Sequence, residues 1–414
     1  MPSMQIIRLP PLFARAIVNQ TFTPAERALS MLSPCSPRSK LPDVGTTIFT
    51  VIGQLAAQYD ALNLSQGAPN FPCDPQLIDD CVAAMRAGHN QYAPMAGIGA
   101  LREALAQKNQ TLYGANYHPD TEVTVMASAS EGLYAAVSAL VHRGDEVIYF
   151  EPAFDSYAPM VRLQGATPRA IKLAPESFKV DWDEVAAAIT PKTRMIIVNT
   201  PHNPSATLFD QQDIARLCAL TRNTDIVILS DEVYEHIVFD GALHHSMARH
   251  AELAERSVII SSFGKSYHVT GWRVGFCLAP AALTEEIRKV HQFMMFSADT
   301  PMQMAFCAAL SKPESYLGLA KFYQGKRDLL VRQLAHSRLR LLPSQGSFFM
   351  LASFREVSEE SDSAFAQRLI RETRVATIPL SAFYTDGSDA GVIRLSFAKD
   401  DATLIEGARR LCAL

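Results

Sequence analysis

The sequence predicts an α/β protein whose main sheet is largely parallel and covered by helices on both faces. One indication is a series of short apolar runs without polar alternation, which is typical of strands buried on both sides. Another is that amphipathic helical segments separate several of these runs. The third is length, because 414 residues exceed one ordinary core and favour a large domain with a smaller companion.

Six apolar runs bounded by turn residues are the predicted strands of the main sheet. In chain order they read EVTVMAS, DEVIYF, PRAIKL, RMIIVNT, DIVILS and SVIISSF. Between them, helical periodicity predicts a helix over 98–113 that ends at Gly114. A second helix over 133–143, with His142 and Arg143 in its last turn, is expected to stop at Gly144.

Beyond about Lys312 the sequence pattern changes. A long helical segment, SYLGLAKFYQGKRDLLVRQLAHS, precedes shorter strand-like runs such as SFFMLAS and GVIRLSFA. We therefore predict a large domain of residues 76–311, and a smaller α+β domain made of residues 39–75 and 312–414.

The N-terminal segment, residues 1–38, differs from the rest of the chain. It carries Arg8, Arg15 and Arg27 and no acid before Glu26, so an organelle-targeting leader is one interpretation. It lacks a cleavage-type signal and a clear amphipathic repeat, and we favour a disordered or spurious extension with translation starting at Met31. The Pro- and Ser-rich SPCSPRSKLP predicts a linker into the fold.

The composition argues against several classes of function. The formal net charge is -4, with both signs scattered along the chain, so no electrostatic footprint for nucleic acid or an anionic membrane is present. Apolar runs fall short of the ~20 residues that a bilayer-spanning helix needs. The seven cysteines are widely spaced and form no CxxC pair. This favours a reducing compartment, the cytoplasm, over a disulfide framework or a zinc site.

Polar side chains follow three of the predicted strands at the point where each strand ends. Asn203 comes after RMIIVNT, Asp231 and Tyr234 come after DIVILS, and Ser262 and Lys265 come after SVIIS. Ligands of open α/β sheets bind beyond the carboxyl ends of the strands, so these groups are expected at one edge. Taken singly, each residue also fits a structural explanation, such as a turn, a helix cap or a solvated loop.

Together these groups match the needs of one cofactor, pyridoxal 5'-phosphate. Its aldehyde needs a primary amine and its pyridine nitrogen needs a carboxylate, which suits Lys265 and Asp231. Its phosphate needs the N–H groups of a helix N-terminus, hydroxyls and a cation. The helix start in SASEG, with Ser262 and Arg273 on either side of the lysine, suits the phosphate.

Four motifs in order, NTPHNPSA, SDEVYEHI, SSFGKSYHVTGWRVGF and IRLSFAK, resemble the class I aminotransferases of fold type I. The resemblance runs from about Ser39 to the C-terminus. SKLPDVGTTIFT, LSQGAPNF and NQYAPMAGIGALREA place it nearest to the methionine and kynurenine aminotransferases. It implies a pyridoxal phosphate-dependent homodimer. It also implies amino transfer by a ping-pong mechanism from an apolar or aromatic L-amino acid, of the methionine, phenylalanine, tyrosine or kynurenine type, to a 2-oxo acid.

The resemblance implies roles for residues around the cofactor ring. Lys265 matches the lysine that binds the aldehyde and carries the substrate α-proton, and Asp231 matches the partner of the pyridine nitrogen. Asn203 and Tyr234 match the donors to the ring hydroxyl group. Phe154 matches the aromatic residue stacked on the ring, although ordinary core packing would also explain it.

Further residues match the phosphate and substrate sites of the family. The phosphate set is Ala129, Ser130, Ser262 and Arg273, with Tyr92 matching a tyrosine that reaches the phosphate of the neighbouring subunit. Arg394 falls where the substrate α-carboxylate binds, with Asn203 beside it, and an exposed strand arginine is the alternative. Gly67 matches a glycine that lets the backbone approach the substrate.

One departure concerns Ala68, which stands where relatives commonly carry a bulky aromatic residue. We hypothesise a more open substrate pocket, with Phe348 and Phe349 in the same region or in the core. His244, His245 and His250 have no cysteine or carboxylate at ligand spacing, so we predict a solvated loop and no metal.

Two other functions remain open from the sequence. A cysteine-conjugate β-lyase would use the same cofactor residues. A non-catalytic effector domain of a transcriptional regulator would need an N-terminal DNA-binding module, for which the spare N-terminal residues are too few.

Overall fold

The computed structural model describes residues 38–414, so the prediction for the N-terminal extension lies outside the described residues, apart from Arg38. The chain divides into two units, a segment that ends at Asp43 and a unit of Val44–Leu414 that carries the helices and strands given below. The division into domains 76–311 and 39–75 with 312–414 stays a prediction.

The strands, numbered in chain order, are β1 (Leu62–Asn63), β2 (Val123–Met126), β3 (Glu146–Glu151), β4 (Thr167–Lys172), β5 (Thr193–Asn199), β6 (Val227–Asp231), β7 (Ser257–Ser262), β8 (Gly275–Leu278), β9 (Arg340–Leu341), β10 (Phe349–Ser353), β11 (Val375–Ala376), β12 (Ile378–Pro379) and β13 (Val392–Ser396).

The α-helices are α1 (Ile48–Gln58), α2 (Pro75–Arg86), α3 (Gly99–Tyr113), α4 (Pro119–Glu122), α5 (Ala129–Leu140), α6 (Tyr157–Leu163), α7 (Trp182–Ala188), α8 (Gln211–Thr221), α9 (Ala251–Ala254), α10 (Phe263–Ser266), α11 (Ala281–Met294), α12 (Thr300–Leu310), α13 (Glu314–Leu317), α14 (Leu319–Gln333), α15 (Asp362–Thr373) and α16 (Asp401–Leu411). Short 3-10 helices span Met247–Arg249, Thr270–Trp272 and Leu380–Phe383.

The main sheet has seven strands in the order β2-β8-β7-β6-β5-β3-β4. The six predicted strands are confirmed as β2 to β7, and those from β3 to β7 pair in parallel. Strand β8, which the sequence did not predict, pairs antiparallel with β2 and β7. Every residue of β3, β6 and β7 is buried. Since successive side chains point to opposite faces, both faces of the sheet are covered at these three strands, whereas the edge strand β4 is largely exposed.

A second sheet of four strands has the order β12-β13-β10-β9, and its pairings are antiparallel. Its central strands β10 and β13 are the predicted runs SFFMLAS and GVIRLSFA. The single long helix predicted before them is divided in the structure into α13 and α14, with Gly318 between them.

Helix ends were predicted at Gly114 and Gly144, and the structure agrees with only the first. Helix α3 ends at Tyr113 and Gly114 follows with a left-handed φ of 74°, so this prediction is confirmed. The prediction for the helix ending at Gly144 was wrong, because α5 ends at Leu140. Val141 is extended and buried, and Gly144 supplies the positive φ of the turn into β3.

Candidate active site

The carboxyl ends of three parallel strands meet at one edge of the main sheet. β5 ends at Asn199, β6 ends at Asp231 opposite it, and β7 ends at Ser262. They open on a cavity of about 260 Å³. The predicted site residues that line it are Gly67, Ala129, Ser130, Phe154, Asn203, Asp231, Tyr234, Ser262, Lys265, Arg273 and Arg394.

Lys265 lies in the single helical turn α10, directly after β7, and its side chain points into the cavity. Its Nζ atom donates a hydrogen bond to the carbonyl of Gly67 over 3.3 Å and lies 5.4 Å from the ring centre of Phe348. Burial lowers the pKa of Lys265 to about 8, and the positive charges of Arg394 and Arg273 act in the same direction. A larger fraction of the amine is therefore neutral, and so nucleophilic, near neutral pH than in a solvated lysine.

Asp231 is buried at the end of β6, where its carboxylate accepts two hydrogen bonds. The phenol of Tyr157 donates to Oδ2 over 2.7 Å, and the N–H of Val233 donates to Oδ1 over 3.3 Å. Burial raises the pKa of Asp231 to about 6, while the hydrogen bonds and Lys265 favour the charged form. The carboxylate is therefore held ready to pair with a positive group in the cavity.

The N-terminus of α5 lines another part of the cavity. Ser128 caps the helix by accepting a hydrogen bond from the N–H of Glu131. The N–H groups of Ala129 and Ser130 find no acceptor among residues 38–414. A Cβ on Gly275 would lie 2.7 Å from the nitrogen of Ala129, so only glycine lets β8 pass so close to this helix start. Free N–H groups at a helix N-terminus favour an anion.

Ser262 and Arg273 border the same region of the cavity. Arg273 is exposed and adopts a left-handed φ of 55°, and its guanidinium donates to the carbonyl of Thr270 over 3.1 Å. A hydroxyl group, a cation and a helix N-terminus therefore line the same cavity as Lys265, an arrangement that suits a phosphate group.

Arg394 lies on β13 and is 1% exposed, so it is not an exposed strand arginine. Its guanidinium donates to Asn203 Oδ1 over 2.6 Å and to the carbonyl of Ser65 over 3.0 Å, and it lies 3.9 Å from the ring centre of Phe349. Within the described part of the chain, its Nε atom has no hydrogen-bond partner and no carboxylate lies at ion-pair distance. Burial lowers the pKa of Arg394 to about 9. The structure therefore presents a buried cation that lacks an anionic partner.

Tyr92 is the predicted site residue that the structure does not bring into this cavity. Its side chain is 83% exposed and packs edge-on against Phe296, with 5.2 Å between ring centres. Its predicted contact with the phosphate of a neighbouring subunit stays a prediction.

Two polar residues were missed from the sequence, namely Asn199, which lines the cavity, and Tyr157, which does not line it but bonds to Asp231. The side chain of Asn199 accepts from the N–H of Asn203 over 2.8 Å and donates to the carbonyl of Asp231 over 2.9 Å. Asn199 is the last residue of β5, so the strand-end rule that found Asp231 would have found it. For Tyr157, the only signal in the sequence was its position in EPAFDSY, three residues after Phe154.

Two other expectations can be compared with the structure. Ala68 does not line the cavity, and its carbonyl accepts a hydrogen bond from Lys399 over 2.6 Å. The hypothesis of a more open pocket stays untested. The solvated-loop prediction was wrong for His244, which is buried with Nε2 2.9 Å from Oε2 of Glu232. The reason is that the chain folds back over β6, which brings together residues twelve positions apart.

Residues 59–411 match the family of class I and II aminotransferases. The chain belongs to this family. Enzymes of this class depend on pyridoxal phosphate, so the chain is a pyridoxal phosphate-dependent aminotransferase with the fold type I architecture. The resemblance seen in its motifs is thereby confirmed.

Curated and solved relatives of this aminotransferase span nearly its whole length. Methionine aminotransferase of Escherichia coli is 50% identical over 380 residues, which cover 92% of this chain and 98% of the relative. Kynurenine–oxoglutarate transaminase of Dictyostelium discoideum is 33% identical, and the match covers 89% of this chain and 94% of the relative. A solved Escherichia coli structure with an identified methionine aminotransferase function has a TM-score of 0.90 at 49% identity. The match covers 92% of this chain and 100% of that structure's chain.

Proposed function

We propose that this aminotransferase holds pyridoxal 5'-phosphate in the cavity at Lys265 and moves the amino group of an apolar or aromatic L-amino acid to a 2-oxo acid. The observation that carries the proposal is Arg394, a buried guanidinium without a carboxylate partner among the described residues, in the same cavity as a lysine whose pKa is lowered. Both substrates of transamination bring a carboxylate that could pair with Arg394.

The residues around the cavity fit the cofactor. The free N–H groups of Ala129 and Ser130, with Ser262 and Arg273, would hold its phosphate. Phe154 would lie against the ring. When bound, the cofactor supplies a protonated pyridine ring that takes up the electron pair of the substrate Cα–H bond.

The side chains of this chain would divide the remaining tasks. Asp231 would keep the pyridine nitrogen positively charged, and Tyr234 and Asn203 would donate to the ring hydroxyl group. Arg394 would grip the substrate carboxylate and so orient the Cα–H bond towards Lys265. The amine of Lys265 would remove that proton and return it, as general base and then general acid.

Apolar side chains set the character of the substrate site. Phe49, Leu133, Phe154, Val233 and Phe349 line the cavity. Together with the relatives that act on methionine and kynurenine, these side chains support an apolar or aromatic donor. An apolar pocket separates side chains of similar size only weakly, so several donors are expected to compete.

We also propose a homodimer in a reducing compartment, the cytoplasm. Tyr92 and Phe296 pack together at the surface, and Phe293 and Met295, which lie close to Phe296 in the chain, are also exposed, Phe293 to 87%. Exposed apolar residues grouped in this way mark a protein interface. The cysteines within residues 38–414 are all free, which supports the compartment. In that same range, no helix is long and apolar enough to cross a membrane.

A panel of amino donors and 2-oxo acid acceptors, assayed with added pyridoxal phosphate, tests the proposal. Methionine, phenylalanine, tyrosine and kynurenine are expected among the donors, and Lys265→Ala is expected to abolish turnover. Full turnover by Lys265→Ala, or failure of the protein to take up the cofactor, would refute it. Product analysis separates transamination from β-elimination, since the latter releases pyruvate and ammonia from a cysteine conjugate.

A further inference from the structure

Lys399 is a second buried lysine near the site, in the short connection between β13 and α16. It is 3% exposed, and its Nζ atom donates to the carbonyl of Ala68 over 2.6 Å. In the part of the chain that the structure describes, no carboxylate lies at ion-pair distance from it. Burial lowers the pKa of Lys399 to about 8. A buried ammonium group without a counter-ion is costly, so its single short hydrogen bond needs an explanation.

The segment that contains Ala68 is held along its length by residues around Lys399. The N–H of Ser396 donates to the carbonyl of Leu64 over 2.8 Å, and Arg394 donates to that of Ser65. At the other end, the side chain of Asn70 donates to Asp400 over 2.8 Å. We call residues 64–70 the substrate loop. Lys399 is the anchor in its middle.

The backbone of the substrate loop is itself part of the active-site wall. A Cβ on Gly67 would lie 2.6 Å from Cζ of Phe349, so the loop lies directly on that ring. The guanidinium of Arg394 lies 3.9 Å from the same ring centre. A small shift of Gly67 therefore changes the positions of Phe349 and Arg394, because close-packed interiors transmit such shifts.

We propose that Lys399 is a positioning residue for substrate binding. Its ammonium group fixes the carbonyl of Ala68, and through the neighbouring peptide it fixes Gly67, Phe349 and Arg394 in the arrangement that receives a carboxylate. The link to substrate rests on the proposed function, whereas the anchoring of the loop does not.

Lys399→Met tests the proposal, because it keeps an unbranched side chain only one atom shorter and removes the donor. Losing a hydrogen bond from a charged group is expected to raise KM about tenfold for donor and acceptor alike, with kcat within about threefold. Cofactor affinity is expected to stay unchanged. The matched control is Lys289→Met on α11, where the lysine is exposed and pairs with Glu286, and its KM values are expected to equal those of the unmodified protein.

Hydrogen–deuterium exchange of the cofactor-free protein tests the anchor without reference to catalysis. In Lys399→Met, amides of residues 64–70 are expected to exchange at least about tenfold faster, with little change in the main sheet. Unchanged exchange together with unchanged KM would overturn the proposal, and so would a drop confined to kcat. If the methionine variant does not fold, Lys399→Gln replaces it, and an unchanged KM in that variant would likewise overturn the proposal. If residues 64–70 exchange faster in Lys399→Met but the unmodified protein does not transaminate, the anchoring role of Lys399 stands and only the proposed function is refuted.

Discussion

The phenol of Tyr157 donates a 2.7 Å hydrogen bond to Oδ2 of Asp231, linking two residues 74 positions apart. Tyr157 opens helix α6, and the ring of Phe154 packs edge-on against it with 5.7 Å between centres. The bond therefore joins the segment that carries Phe154, which we propose lies against the cofactor ring, to the carboxylate proposed for the pyridine nitrogen. It also favours the charged form of a carboxyl group whose pKa burial raises.

Tyr157→Phe is expected to lower kcat/KM about tenfold at pH 7, because a hydrogen bond to a charged group is lost. Without this donor, the pKa of Asp231 rises further above about 6, so the acid limb of the kcat/KM profile moves to higher pH. Lys265 and Glu232, the charged groups that face Asp231, are unchanged by the substitution. Steady-state assays between pH 5 and 9 check this. An acid limb that stays in place would contradict the role of Tyr157.

Cofactor uptake is expected to follow the titration of Lys265. The groups that face its amine are Asp231, Arg273 and Arg394, and the lowered pKa means that the neutral, nucleophilic form appears above about pH 8. The rate of pyridoxal phosphate uptake by cofactor-free protein should therefore rise with pH to a midpoint near 8, well below the ordinary lysine value of 10.5. Stopped-flow absorbance measures this rate of uptake at each pH. Arg394→Gln removes a like charge and should move the midpoint upward, and a midpoint near 10 in the unmodified protein would contradict the prediction.

Arg394→Lys is expected to reduce kcat/KM by about 10- to 100-fold for donor and acceptor alike, because the planar, two-pronged grip on a carboxylate is lost while the charge remains. Arg355→Lys is the control. Arg355 pairs with Asp389 and does not line the cavity, so little change is expected there. A loss confined to one of the two substrates would show that Arg394 does not bind the carboxylate that both share.

Gly67→Ala is expected to destabilise the protein by about 1–3 kcal/mol, because the new methyl group overpacks a buried ring. The nearest atom, Cζ of Phe349, would lie at 2.6 Å, and that ring is held beneath Arg394. Thermal unfolding and the KM values check this, with a lower Tm and a higher KM expected. Gly45→Ala, where a Cβ meets nothing within 4 Å, is the matched control and should leave both unchanged.

The sequence predicted the main sheet well because its inner strands are continuous apolar runs. It also predicted that Asp231, Ser262 and Lys265 lie together, because parallel strands end at one edge of the sheet. Strand β8 was missed because it has only four residues and begins within the last two residues of the lysine motif. The end of α5 was misplaced because Gly144 belongs to the following turn rather than to the helix cap.

Contacts between distant segments set the limit of prediction at the site. Motifs placed Arg394 among the candidate substrate residues, but its missing counter-ion and its packing on Phe349 depend on how β13 lies against β10. The bond of Tyr157 to Asp231 and that of Lys399 to Ala68 join residues 74 and 331 positions apart. No local pattern of apolar and polar residues encodes such pairs.

Subunit mixing tests whether Tyr92 acts in the neighbouring site. Its exposure leaves it free to reach a partner, and in a symmetric dimer each site would then combine Lys265 of one subunit with Tyr92 of the other. Homodimers of Lys265→Ala should be inactive, and those of Tyr92→Phe should bind cofactor weakly.

A hybrid of the two variants would contain one site with both intact residues, so mixing is expected to restore about a quarter of the unmodified activity at limiting cofactor. The assay measures turnover after the two variants are unfolded and refolded together, with separately refolded variants as the control. If Tyr92 instead served its own subunit, every site in the hybrid would lack one residue or the other. In that case mixing would restore nothing, and the proposed contact across the dimer would be wrong.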